Sequence, residues 1–343
     1  MLRRPIRALR AISNWRLWAL GVAVAVGLAV VEARDAWSPA DGGHPRAIVK
    51  LAIYWGLWLA WPAALWLLLR VFGQLRRGRA FGALLALALL FVTGGLLWSR
   101  FVEPHQLRVL ETSIGSSCGV RVALVSDLHA GLYVRQDQLE RLVRQLNALD
   151  VDAVLVAGDW TYEPPHDLHQ EFGALALLRH PTYAVLGNHD EQLPGAPLKG
   201  ELVSALQALG VHLIEGRRVP LGRCELAGLG DLEAGAAARD LAILKKTRWS
   251  QPPARRVLLT HEPDTLYDID AGSAALMLAG HTHGGQIDLP WLTDALLRRI
   301  SRSGYKRGLY TPGAMQVFVT SGTGMAKLPL RFRMPPTIDV LVL

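Results

Sequence analysis

Two stretches of nineteen residues, 51–69 and 80–98, contain no charged side chain. Each matches the ~20 residues with which a helix crosses ~30 Å of hydrocarbon, and the core helix of a water-soluble protein seldom needs to be apolar around its whole circumference. A third run, 17–31, has fifteen residues and lies between Arg16 and Glu32. With snorkelling ends it spans; the alternatives are an interfacial helix or an uncleaved signal-like segment. The first hundred residues are therefore expected to form a membrane region with two or three transmembrane helices, at about 17–31, 51–69 and 80–98.

Charge follows the same division. The first hundred residues carry 13 Lys and Arg against 3 Asp and Glu, net +10, whereas residues 101–343 carry 24 against 26, net −2. The overall +8 thus belongs to the N-terminal part and suits lipid headgroups, and the remainder lacks the basic excess that nucleic acid would require of it. Eight of the eleven Trp also fall in the first hundred residues, as expected where amphipathic rings sit at a membrane interface. Arg3, Arg4, Arg7, Arg10 and Arg16 precede the first run, and Arg70, Arg76, Arg77 and Arg79 separate the second and third without an acid among them. The loop after the first run mixes Arg34, Arg46 and Lys50 with Glu32, Asp35 and Asp41. With three spans, the positive-inside rule puts the N-terminus in the cytoplasm and residues after 100 outside it. With two, the C-terminal part shares the side of the N-terminus and one loop breaks the rule. Cys118 and Cys224 are far apart and outside any C-x-x-C, which implies neither a disulfide framework nor a thiolate metal site.

Beyond residue 120 the pattern changes to short β-rich runs and amphipathic segments. Strands are expected at 121–126, 152–157, 182–186, 211–214, 224–229, 256–260, 275–279, 315–320 and 337–343. Helices are expected at 137–150, where Asp137 and Glu140 suit a capping-box variant, at 167–179 and at 198–209. Strand–helix alternation early and strand-only spacing later point to a mixed α/β sandwich, with parallel β-α-β units feeding a second sheet.

The residues that end these strands carry the chemistry. Asp127 and His129 follow the first, Gly158 and Asp159 the second, and Gly187, Asn188, His189 and Asp190 the third; His261 follows 256–260, and His281 and His283 follow 275–279. Singly, such residues are commonest as turn chemistry. In an open α/β sheet, however, parallel strand ends share the edge where ligands bind, so five such ends deliver carboxylates, imidazoles and an amide to one place.

These blocks resemble the five-part signature of the calcineurin-like metallophosphoesterases, and the extension GHTHGGQ at 280–286 resembles a membrane-associated bacterial phosphodiesterase branch of that family. The likeness covers residues 120–343, with 101–119 left as a linker. It implies a four-layer αββα sandwich and a hydrolase of phosphoric esters that uses two divalent ions, Mn, Zn or Fe. It further implies that Asp127, His129, Asp159 and His283 hold one ion and that Asp159, Asn188, His261 and His281 hold the other, Asp159 bridging. A metal-bound hydroxide is then the nucleophile, and His189 stabilises the transition state or protonates the leaving oxygen. Asp190 is left either to orient an imidazole or to cap backbone.

The expected substrate is a phosphodiester or pyrophosphate of a lipid or envelope-related molecule. The expected location is a bacterial cytoplasmic membrane, with the catalytic domain on the extracytoplasmic side. Two rivals stand beside this reading: a UDP-2,3-diacylglucosamine pyrophosphatase, which needs the cytoplasmic side, and a non-enzymatic membrane interaction protein with a structural metal site. The residues depart from the branch at Glu262, where a neutral Asn is common, at Thr337, where an acid is usual, and in the turn 321–324, which lacks an Arg. Residues 325–334 mix apolar and basic side chains, which suits contact with headgroups or a plain strand-and-loop equally.

Overall fold

The computed structural model describes residues 14–34, 45–164, 167–191, 198–246, 249–270 and 272–343. The arginines ahead of residue 14 and the charges of segment 35–44 lie outside the described residues. The chain divides into two units, Met1–Val102 with Leu328–Leu330, and Glu103–Lys327 with Arg331–Leu343.

The first unit is helical: α1 (Asn14–Arg34), α2 (Pro45–Gly56), α3 (Ala60–Arg76) and α4 (Ala80–Phe101). A 3-10 turn, Leu57–Leu59, joins α2 to α3 just where Pro62 offers no N–H to the carbonyl of Trp58. Gly78, at φ +66°, reverses the chain between α3 and α4. The expected runs 51–69 and 80–98 lie inside two helical stretches, Ile48–Arg76 and Ala80–His105, which are long and apolar enough to cross a membrane, and the run 17–31 lies in α1 as a shorter apolar helix. Phe81 and Phe91 are more than four-fifths exposed, a surface that water disfavours and lipid accepts.

The second unit contains β1 (Arg108–Ser113), β2 (Arg121–Val125), β3 (Ala130–Gly131), α5 (Gln136–Asn147), β4 (Ala153–Ala157), β5 (Thr161–Tyr162), β6 (Thr182–Val185), α6 (Lys199–Ala208), β7 (Val211–Leu213), β8 (Arg218–Leu221) and β9 (Cys224–Gly228). It continues with α7 (Ala236–Lys246), β10 (Arg256–Leu259), β11 (Leu276–Ala279), α8 (Leu292–Ile300), β12 (Gly308–Tyr310), β13 (Gln316–Val319) and β14 (Thr337–Val342). One sheet runs β1-β14-β2-β4-β6-β7 and the other β12-β13-β11-β10-β9-β8. Alternation along each strand separates two apolar faces. Val122, Leu124, Leu155 and Ala157 meet Val257, Leu259, Leu276 and Leu278 in a core between the sheets. Ala123, Val125, Val154 and Val156 face the other way, with Leu139, Leu142 and Leu146 of α5 and Leu202 and Leu206 of α6 in the same core. Leu258, Met277 and Val317 join Leu244 of α7 beyond the second sheet. The layers are thus helix, sheet, sheet, helix, as expected.

Four sequence-based expectations are corrected. The second half is not strand-only, because α7 lies between β9 and β10 and α8 between β11 and β12. Asp240, buried on the inner face of α7, interrupts the apolar spacing that would have marked that helix. The linker 101–119 contains β1, paired in parallel with β14. The helix expected over 167–179 breaks at Gly173 into a turn of α-helix, Leu168–Glu171, and a 3-10 segment, Gly173–Leu177. The N-cap of α5 is Arg135, whose N–H donates to Gln138 Oε1 at 3.1 Å, while Asp137 pairs with Arg141 at 2.7 Å.

The cysteine reading is also overturned. Cys118 and Cys224, 106 residues apart in sequence, form a disulfide that ties the segment before β2 to the start of β9. Spacing alone gave no sign of it, because strands of different sheets bring these positions together. Closing so long a loop restricts the unfolded chain by about 2–4 kcal/mol, so Cys118→Ser with Cys224→Ser should lower the unfolding free energy by that amount in denaturant titrations of the full chain. Unchanged stability, or two free thiols in the unreduced protein, would contradict the assignment.

Candidate metal centre

The parallel strands β2, β4 and β6 of one sheet and β10 and β11 of the other end near a common edge. Each chain segment leaving that edge turns sharply. Asp127, His129, Asp159, His281 and His283 all have φ between 48° and 69°, a left-handed conformation that non-glycine residues adopt at a cost of ~1–3 kcal/mol and that clusters at functional sites. The turns aim side chains back across the sheet edge instead of letting them continue along the strands.

What they aim at is a single small volume. His129 Nε2 and His283 Nε2 lie 2.9 Å apart, and His283 Nε2 lies 3.3 Å from Asp127 Oδ1. Asp159 Oδ2 lies 3.5 Å from His129 Nε2 on one side and 3.2 Å from His261 Nε2 on the other. His261 Nε2 is 3.1 Å from Asn188 Oδ1 and 3.2 Å from His281 Nδ1. All seven expected ligands are therefore brought together. The two imidazoles of the H-x-H segment diverge, His283 toward Asp127 and His129, and His281 toward His261. Groups whose donor atoms lie within 4.8 Å of one another, and which could hold a metal ion, are Asp127 with His129 and His283, and Asp127 with Asp159 and His261.

The surroundings fix which atoms face inward. His261 Nδ1 donates to the Ala157 carbonyl at 2.7 Å and His129 Nδ1 to that of Thr161 at 3.3 Å, which leaves each Nε2 directed into the site. Burial pushes His129 down to about 3 and His281, with help from His261, down to about 4, so both are neutral at ordinary pH. At Asp159 burial favours the neutral acid, but His261 and His129 outweigh it and hold the carboxyl well below its usual range. Burial likewise opposes charge on His261, yet Asp159 and Asp127 hold its pKa well above the ordinary value, a measure of the negative field there. Asp127 Oδ1 is buried without a hydrogen-bond partner. Lone pairs facing lone pairs around an orphaned carboxylate oxygen suit divalent cations, and the oxygen and nitrogen donors fit Mn, Zn or Fe.

His189 lies beside this cluster. Its N–H donates to Asp159 Oδ1 at 2.9 Å, and its ring stands edge-on to those of His129 and Tyr162, each with centroids 5.1 Å away. Asp190 serves backbone groups. Fully buried, it accepts from the N–H groups of Trp160, Thr161 and Gly187 at 2.9–3.0 Å and so ties the loop after β4 to the loop after β6. Glu262 accepts from Leu232 N–H at 2.9 Å, and Thr337 donates to the Pro335 carbonyl at 3.0 Å.

Sequence reasoning missed two contributors. Tyr162 walls the site beside His129 and His189. Arg331, fully buried, donates to the carbonyls of Ser321, Gly322, Gly324 and Met334 at 2.6–3.2 Å and supplies from outside the turn 321–324 the guanidinium which that turn lacks. Gly324 N–H in turn donates to the Asp127 carbonyl at 2.7 Å. One of the three basic residues in 325–334 that looked suited to headgroups is thus a staple of the site. Its only sequence signal is an arginine in a segment otherwise rich in apolar residues.

Comparison with known proteins agrees with this geometry. The family model described as calcineurin-like phosphoesterase matches residues 120–285. The metallophosphoesterase YkuE of Bacillus subtilis is 30% identical over 285 residues, covering 77% of this chain and 94% of YkuE. The phosphodiesterase YaeI of Escherichia coli is 25% identical over 75% of this chain and 95% of its own. The UDP-2,3-diacylglucosamine pyrophosphatase LpxG of Chlamydia trachomatis is 25% identical over 71% of this chain and 92% of its own. With every block of the motif gathered at neighbouring strand ends of the two sheets and YkuE aligned along most of the length, this chain belongs to the calcineurin-like metallophosphoesterases and is a phosphoester hydrolase.

Proposed function

We propose that this chain is a membrane-anchored phosphoesterase that holds two divalent cations and cleaves a phosphodiester or pyrophosphate bond of a lipid or envelope-linked substrate outside the cytoplasm. The observation that supports it most is the position of Asp159 Oδ2 between His129 Nε2 and His261 Nε2, at 3.5 and 3.2 Å. Asp127, His129 and His283 surround it on one side, and Asn188, His261 and His281 on the other. When bound, such a pair of cations ionises a water and neutralises phosphoryl oxygens. Two carboxylates against two divalent ions leave a surplus of about two positive charges, which attracts a phosphate.

The protein's own part is positioning and proton transfer. His189 is half-buried, its backbone held by Asp159 Oδ1 and its ring supported by Tyr162 and His129. From there it hydrogen-bonds a phosphoryl oxygen as charge develops, or gives a proton to the leaving oxygen.

Anchoring is supported by the two apolar helical stretches, and a third span by α1, whose 21 residues measure about 31 Å at ~1.5 Å per residue. The Cys118–Cys224 disulfide supports an oxidising, extracytoplasmic side for the catalytic unit, in agreement with the arginines of the segment 70–79. The name of LpxG favours a lipid-linked pyrophosphate as one form of substrate. A nucleotide-linked lipid made in the cytoplasm would require the opposite sidedness.

Four outcomes are expected. Chelation should abolish hydrolysis of bis(p-nitrophenyl) phosphate by the full chain and added Mn or Zn should restore it; His189→Ala should lower kcat by ~100-fold or more with metal content intact. Activity that survives chelation, or a His189→Ala enzyme of normal kcat, would overturn the assigned roles. At Gly187 an added Cβ would overlap Asp159 Oδ1 and lie 2.6 Å from Asp159 N, so Gly187→Ala should weaken metal affinity by about tenfold or more in calorimetric titration, without loss of the folded far-UV spectrum. Unaltered affinity would show that Asp159 has room to move. Alkaline phosphatase fused after Leu343 should be active in cells and a fluorescent-protein fusion there dark; the reverse pattern would place the catalytic unit in the cytoplasm and favour the nucleotide-linked substrate.

A further inference from the structure

The helix α8 carries two apolar stripes, of which the catalytic unit uses one. Thr293 and Leu297 are buried on its inner face. An added Cβ on Gly285, at φ +89°, would overlap Thr293 Cγ2 and come within 3.6 Å of Leu297 Cδ1, so the helix is seated directly on the turn that carries His283. Thr293 Oγ1 fastens it further, donating to the Ile287 carbonyl at 2.7 Å and accepting from Leu289 N–H at 2.8 Å. Leu292, Leu296 and Ile300, spaced four apart, form the second stripe, and they are 55%, 51% and 60% exposed. Trp291, immediately before the helix, is 85% exposed and is held at φ +64°.

An exposed stripe of three large aliphatic side chains headed by an open tryptophan is not an ordinary water-facing helix surface. Its charges narrow the choice of occupant. Arg298, Arg299 and Arg302 are exposed on or just after the helix. The one acid of α8, Asp294, is paired with Lys306 at 2.7 Å. Apolar side chains, an interfacial tryptophan and exposed arginines match a bilayer with anionic headgroups. The catalytic unit is also never far from one, since β1 starts at Arg108, seven residues after α4 ends at Phe101, a tether of at most ~25 Å at ~3.5 Å per residue.

We propose that Trp291, Leu292, Leu296 and Ile300, flanked by Arg298 and Arg299, dock the catalytic unit on the surface of an anionic bilayer. The turn that carries His283 then lies about one helix width, ~10 Å, from that surface. The inference rests on the anchored reading of the N-terminal unit but not on catalysis.

The test uses the full chain in nanodiscs containing phosphatidylglycerol. Because Cys118 and Cys224 are bonded to each other, Leu296→Cys introduces a single reactive thiol for an environment-sensitive fluorophore. Leu177→Cys is the control. Leu177 is 68% exposed, and its carbonyl accepts from Asn147 at the end of α5, at the opposite strand ends from the metal centre. Spin-labelled lipid should quench the label at 296 roughly threefold or more over that at 177, with a blue-shifted emission, and Arg298→Glu with Arg299→Glu or replacement by phosphatidylcholine should remove the difference. Equal, weak lipid quenching with free access to iodide would overturn the proposal, as would a label shielded from both quenchers, which would assign the face to a protein partner. The same ratio is expected in an Asp159→Asn background, so loss of activity leaves this test intact. Failure of the chain to insert into nanodiscs would instead refute the anchored reading.

Discussion

The structure is organised around a local arrangement that is unfavourable by itself: buried carboxylate oxygens and imidazole nitrogens crowded with their lone pairs facing one another. His129 and His283 approach to 2.9 Å through atoms that both point inward, and Asp127 Oδ1 sits beside them with no donor. Five of the side chains involved leave backbone positions in the left-handed region. None of this persists unless the surrounding layers over-determine it. They do so because β2 and β4, and β10 and β11, run parallel with both faces covered, which fixes where each strand ends before the turn begins.

Between that scaffold and the site lies a set of backbone clamps. Asp190 gathers the N–H groups of two loops, while Arg331 gathers carbonyls from the turn that packs on Asp127. A carboxylate that accepts from N–H groups and a guanidinium that donates to carbonyls are complementary solutions to one problem, since loops inside a protein must satisfy their polar groups without strands to pair with. The glycines act in the same region. Gly187 leaves room for Asp159, and Gly285 lets the inner face of α8 rest on the His283 turn.

How much of this was legible in the sequence follows from what each feature depends on. Asp127, His129, Asp159, Asn188, His261, His281 and His283 were readable because each sits at or near the end of a short apolar run and because together they resemble the five-part signature of the metallophosphoesterases, which implies a shared role. The buried strands β2, β4, β6, β10 and β11 were readable from those apolar runs. Helix α7 was not, because buried Asp240 breaks its stripe and instead accepts from Gly230 N–H at 2.9 Å. Helix α8 was overlooked although Leu292, Leu296, Leu297 and Ile300 recur at helical spacing. The Cys118–Cys224 bond and the Arg331 clamp depend on contacts between distant segments, which no local spacing encodes. Asp190 was half legible: its place beside His189 announced a role, but only the fold shows that its partners are backbone N–H groups.

The central claim is that Asp159 stands between two cations at these strand ends. Diffraction from crystals of the full chain, grown with Mn or Zn and measured at the absorption edge of that metal, tests it most directly. The account predicts two anomalous peaks about 3.5–4 Å apart with the Asp159 carboxylate between them. A single peak, or a metal held elsewhere in a fully active protein, would contradict it.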